Sequence, residues 1–140
     1  MLAVLDPDVI IAGTLARAGA CHDILDVWQS GGFEMVMCPR LLWEIEKALR
    51  HPRISGKYLV NPDDVSAWVR RLASDSSLHP NPVDPPSRVP GDAKDDYLIQ
   101  LAVESRAAML VYRDQHLGKA DVPMGLELLY PGEFLKRLTA

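Results

Sequence analysis

The sequence predicts an α/β fold: one α/β/α sandwich around a central, mainly parallel sheet, spanning residues 1–140 as a single domain. Three observations lead there. Short apolar runs at residues 2–6, 33–37, 108–112 and 126–130 have strand length. Segments with helical spacing of apolar residues lie between them, and strands alternating with helices make a parallel sheet covered on both faces. Two of the runs close on carboxylates, Asp6 and Asp114, and open α/β sheets collect their ligands outside the carboxyl ends of the strands.

The elements follow in order. Residues 2–6 form the first strand, ending in Asp6-Pro7-Asp8. Residues 21–30, with Ile24, Leu25, Val27 and Trp28, form a short helix stopped by Gly31-Gly32. Phe33 to Met37 is a strand. Pro39 starts a helix whose stripe is Leu41, Leu42, Ile45, Ala48 and Leu49, and Pro52 ends it. Asn61-Pro62-Asp63-Asp64 opens the next helix, with a cap, a proline in the first turn and acids near the positive end. Val65, Trp68, Val69 and Leu72 give it a helical period. Residues 79–91 contain five prolines among thirteen residues, so they form an extended loop. Asp92 caps a helix running to about Ser105; residues 108–112 and 126–130 are strands. Pro131 begins a last short helix carrying Phe134, Leu135 and Leu138.

Bulk properties exclude several classes. The 140 residues are 48% hydrophobic, enough for a real core. No apolar stretch reaches bilayer-spanning length. The apolar N-terminus lacks a preceding basic region, which argues against a signal peptide. Cys21 and Cys38 lack metal-site or disulfide spacing and read as thiols in a reducing, cytoplasmic compartment. His22, His51, His79 and His116 do not cluster, and His116 reads as a loop histidine. A net charge of −4 argues against a general nucleic-acid coat protein but leaves a metal-dependent nuclease open, since a bound cation offsets acid where a phosphate would sit.

The acids carry the functional signal. In the helix from Asp92, Asp95 precedes Leu98, Ile99 and Ala102 by three, four and seven residues and shares their inward face. Asp96 lies about 200° from Leu98 at about 100° per residue, so it is expected to point away, assisting the site from outside or solvated. A carboxylate on an inward stripe is costly unless paired or metal-bound. Asp6 and Asp114 could each simply cap a following helix, and Asp8 is a weaker candidate that could point away or cap Ile10 onward. Glu44 and Glu46 flank their apolar stripe about equally, so periodicity does not choose between them. Arg40, Arg50, Arg53, Lys57, Arg70, Arg71 and Arg113 are candidate phosphate-positioning residues. Trp28, Trp43 and Trp68 fall on helices and read as core or interface residues rather than base-stacking platforms.

Five segments together resemble the PIN domain, a family of metal-dependent ribonucleases that includes the VapC-type toxins. Leu-Asp-Pro-Asp-Val-Ile resembles its opening aspartate motif. Leu-Leu-Trp-Glu-Ile-Glu-Lys-Ala-Leu resembles its first acidic helix, and the acid four before the alanine falls on Glu44. Gly-Asp-Ala-Lys-Asp-Asp-Tyr-Leu-Ile-Gln-Leu-Ala resembles the central helix and places Asp95. Leu-Val-Tyr-Arg-Asp-Gln-His-Leu places Asp114, and Tyr-Pro-Gly-Glu-Phe-Leu is similar to family endings. Departures are Pro7-Asp8 where Thr-Asn is frequent, Tyr112 where a smaller hydroxyl residue is usual, and His116 where a further acid is common.

The resemblance implies that Asp6, Glu44, Asp95 and Asp114 are the catalytic and metal-binding residues, holding Mg²⁺ or Mn²⁺, ions suited to oxygen-only donors. It implies a single-stranded or looped RNA substrate, a homodimer and an antitoxin partner, while the lack of a bilayer-length apolar stretch argues against a membrane. A second reading is a phosphatase similar to the haloacid dehalogenase family. Leu-Asp-Pro-Asp-Val would then supply Asp6 as nucleophile and Asp8 as acid/base, and Gly91-Asp92 with Asp96 would imitate its later acidic motif. A third is a catalytically inactive PIN fold used for binding.

Overall fold

The computed structural model describes residues 1–140. Its strands are β1 (Leu2–Leu5), β2 (Glu34–Met37), β3 (Ser77–Leu78), β4 (Met109–Val111) and β5 (Glu127–Leu129). They form one five-stranded sheet in the order β3-β2-β1-β4-β5, and every pair is parallel. The helices are α1 (Pro7–Leu15), α2 (Ala20–Gln29), α3 (Pro39–Arg50), α4 (Pro52–Tyr58), α5 (Pro62–Ser74), α6 (Asp96–Ser105), α7 (Gln115–Gly118) and α8 (Pro131–Thr139), with a 3-10 turn at Ala93–Asp95 before α6.

Successive strand residues face opposite sides of a sheet. Ala3, Val4 and Leu5 are all fully buried, as are Met35, Val36 and Met37, so both faces of the central strands are covered. One core of 31 buried residues joins them to the helices. α6 packs against β1, β2 and β4, while α1 contacts α2 and α3, α3 contacts α5, and α2 contacts α8. At the far end, Phe33 meets Phe134 of α8 edge-on at 5.1 Å between ring centres.

Chain punctuation behaves as its chemistry demands. Gly31, at φ +81°, ends α2; its N–H donates to the carbonyl of Trp28, and Gly32 donates to Val27. Asn61 accepts from the Asp63 N–H at 2.8 Å and starts α5. Pro52 stops α3, as expected, and also serves as the first residue of α4.

Four elements lie outside the sequence expectation. α1 reads Pro-Asp-Val-Ile-Ile-Ala-Gly-Thr-Leu and is apolar nearly all round, so it shows no period. It sits so close to α2 that a Cβ on Gly13 would meet the Cys21 carbonyl oxygen at 2.5 Å. α4 buries no residue, α7 has four residues and β3 has two. Such short or exposed elements leave little hydrophobic pattern.

Two expectations about residues 92–96 need correction. Asp92 precedes the 3-10 turn without a side-chain capping bond. Asp96 does not point to solvent: it is only 4% exposed. Its Oδ1 accepts from the backbone N–H groups of Arg88 (3.0 Å) and Val89 (2.8 Å). A helical wheel presumes one wet side. Instead the proline-rich loop closes over that side, and its backbone donors need an acceptor.

Candidate active site

The strand order reverses beside β1: β2 and β3 extend to one side, β4 and β5 to the other. Such a switch point leaves a crevice at the carboxyl ends of the two strands that flank it. Leu5 pairs with Val111, so both strands end at one level, and Asp6 and Asp114 follow them. A cleft of about 650 Å³ opens there, and its lining includes Asp6, Asp8, Glu44, Asp95 and Asp114. The four acids selected from the sequence therefore reach one place from four separate segments.

Asp6 is held most rigidly. It is 2% exposed. Its Oδ1 accepts from the Val9 N–H at 2.9 Å and so caps α1. Its Oδ2 accepts from the Arg113 N–H at 2.9 Å, bridging from the end of β1 to the chain leaving β4. Burial pushes this carboxyl up to about 6, although those backbone donors pull it down. Asp114 is half-buried and caps α7 by accepting from the His116 N–H at 2.8 Å. Capping and cleft-lining are thus compatible, because each carboxylate oxygen keeps a second lone pair.

Glu44 is separated from Glu46 by its partners. The Tyr97 hydroxyl of α6 donates to Glu44 Oε2 at 2.6 Å, and Arg40 Nε lies 3.5 Å from Oε1. The Arg40 guanidinium stacks 4.1 Å over the Tyr97 ring and donates to the Lys94 carbonyl at 2.8 Å. Glu46 faces elsewhere and pairs with Arg50 at 3.0 Å. Burial and the Glu44 carboxylate drive the Tyr97 phenol far above its ordinary pKa, so it stays a donor. No sequence period pointed to Tyr97; only its place two residues beyond Asp95 could have drawn attention.

Asp95 precedes α6 and makes no side-chain capping bond. Burial, then the like charges of Asp92, Asp114, Asp6 and Glu44, push its carboxyl up to about 7. That repulsion shows several carboxylates brought close to Asp95. The donors are carboxylate oxygens alone, which fits a hard divalent cation such as Mg²⁺ or Mn²⁺. At the same strand end, possible ligand atoms of Asp92, Asp114 and His116 lie within 4.8 Å of one another. His116 Nδ1 is 3.4 Å from Asp114 Oδ1.

Cations line the same cleft. Arg40 and Arg53 were among the sequence candidates; Lys47 and Lys94 were not, and His51 also lies in the lining. Arg50 and Arg71 are instead paired with Glu46 and Asp75. The tryptophans divide. Trp28 and Trp68 pack edge-on at 6.0 Å in or against the core. Trp43 does not follow the core expectation: it is 59% exposed and lines the cleft.

The PIN domain family model matches residues 3–116, and the chain belongs to that family. PIN domains are generally nucleases, hydrolases that typically use divalent metal ions. The fold is similar to the crystal structure of PAE2754 from Pyrobaculum aerophilum, with a TM-score of 0.59 and 18% identity over 99% of this chain and 90% of that one. No curated protein matches the sequence. No helix is long and apolar enough to cross a membrane.

Tyr97→Phe tests how Glu44 is held. The variant keeps the ring and loses only the hydroxyl donor. Mn²⁺ binding measured by titration calorimetry is expected to weaken roughly tenfold, the usual scale when a ligand loses its supporting hydrogen bond. The circular dichroism spectrum should be unchanged. A loss below about twofold would mean that Arg40 suffices to orient Glu44.

Proposed function

We propose that this protein is a Mg²⁺- or Mn²⁺-dependent endoribonuclease that hydrolyses RNA phosphodiester bonds as the toxin of a toxin–antitoxin pair. One observation carries the nuclease reading: Asp6, Glu44, Asp95 and Asp114 come from four separate segments to one cleft at the switch point of the sheet. When bound, the divalent ion polarises the scissile phosphate and lowers the pKa of the attacking water. The four carboxylates would hold it. Tyr97 and Arg40 hold Glu44 in register, and the Val9 and Arg113 N–H groups hold Asp6. Arg40, Arg53 and Lys94 supply positive charge for the phosphates flanking the cut bond. The toxin role, a homodimer and an antitoxin segment lying over the cleft rest on the motif resemblance.

The phosphatase reading loses its motif here. It needs Asp96 in the cleft, and Asp96 is instead buried under residues 88–89. The deciding experiment is cleavage of a panel of single-stranded and hairpin RNAs with Mg²⁺, with Mn²⁺ and with chelator, beside Asp95→Asn. Metal-dependent cleavage lost in the variant supports the proposal. Cleavage that survives both chelation and the substitution rejects it. An intact fold that binds neither metal nor cleaves RNA leaves the inactive binding fold.

A further inference from the structure

Trp43 stands where folding does not need it. The buried stripe of α3 is Leu41, Ile45 and Leu49. Trp43 lies about 200° around the helix from both Leu41 and Ile45, at about 100° per residue. Its indole is nonetheless 59% exposed on the wall of the acidic cleft, one residue from Glu44. Lys47 holds its ammonium 4.7 Å from the ring centre, one helical turn on. Exposed Lys47, Arg53 and Lys94 line the same opening. A large flat ring beside cations and above an acidic centre matches the parts of a single strand of nucleic acid. Phosphates take the cations, and an unpaired base takes the aromatic face.

We infer that Trp43 is a base-stacking platform, on which an unpaired nucleobase next to the scissile phosphate lies against the indole face that Lys47 leaves open. This rests on the nuclease proposal above and assigns one side chain that would hold an unpaired base beside the cut site. A paired helix cannot offer such a base, so stems are excluded at this position. Stacking accepts any base, so Trp43 contributes affinity and position with little sequence choice. Trp43 has no part in the chemical step itself.

The test uses the full chain carrying Asp95→Asn, which keeps RNA uncut. Binding of a labelled single-stranded 12-mer RNA is followed by fluorescence anisotropy, beside an abasic ribose-phosphate 12-mer. Adding Trp43→Ala is expected to weaken RNA binding roughly tenfold, the usual scale for losing one stacked base. Trp43→Phe should stay within about threefold of the parent, because phenylalanine retains a face for stacking. The abasic oligomer should bind equally well to the parent chain and to the chain with Trp43→Ala added. Equal RNA affinity with and without Trp43 overturns the inference, as does an equal loss on the abasic oligomer. So does a Trp43→Ala chain that changes oligomeric state while binding RNA normally, which would make the indole a protein contact. If the chain without Asp95→Asn cleaves RNA but Trp43 proves indifferent, only this inference falls. If that chain neither binds nor cleaves RNA, the nuclease proposal falls with it.

Discussion

Asp95→Asn is expected to abolish metal-dependent RNA cleavage while making the metal-free protein more stable. The first effect follows from the proposed role of Asp95 as a metal ligand, beside four like charges; a loss of at least about a hundredfold is expected. The second follows from the same crowding. In the folded chain the Asp95 carboxyl sits at about 7 rather than 3.8, so the charged form opposes folding. The amide cannot ionise. Asp95 is only half-buried, and solvent in the cleft screens it, so the gain is on the order of 1 kcal/mol. For a chain of this size that is roughly 3 °C in Tm.

The pH dependence has a definite sign. A carboxyl whose pKa is raised on folding contributes stability below its unfolded value, and that contribution disappears as pH rises through the folded value. For Asp6 and Asp95 the folded values are about 6 and about 7, and the ordinary value is 3.8. Metal-free protein should therefore melt lower at pH 8 than at pH 5.5, and Mn²⁺ should restore the difference at pH 8. Asp95→Asn should flatten the curve. Thermal scans with and without chelator check all three outcomes, and a melting temperature that rises from pH 5.5 to 8 without metal contradicts the electrostatic account.

Asp6→Ala should be the most destabilising of the active-site changes. The alanine leaves two N–H donors, those of Val9 and Arg113, facing a space that Asp6 fills at 2% exposure. Losing the cap of α1 costs about 1 kcal/mol. Stranding a buried donor costs a further 1–3 kcal/mol, roughly. Relief of the buried charge returns part of this, so a net loss of about 2 kcal/mol is expected at pH 7. Asp6→Asn keeps one acceptor oxygen and should lose less. Urea denaturation of both variants separates the roles: equal inactivity with unequal stability marks Asp6 as ligand and structural latch together. Equal stability would mean that water replaces the lost acceptor.

Much of the site was legible because strand ends are local features. An apolar run that stops at an acid can be read from six residues, and Asp6 and Asp114, both in the cleft lining, stand out that way. Glu44 and Glu46 were tied because a helical wheel records only angle. The donor that separates them, Tyr97, lies 53 residues further along the chain. Asp96 was misplaced for a related reason. Helix α6 buries Tyr97, Leu98, Ile99, Leu101, Ala102 and Ser105, so no single face marks its interior. What covers Asp96 is a loop whose path no periodicity describes. Trp43 was averaged with the other tryptophans, although its offset from the Leu41 stripe already set it apart.

The sheet ends in very little strand. On one side β3 has two residues and runs into Pro80 and Pro82; on the other β5 has three and is followed closely by Pro131. Proline offers no N–H, and margins this short give a visiting polypeptide almost nothing to zip onto. Growth by strand addition into extended aggregates is therefore disfavoured at both margins.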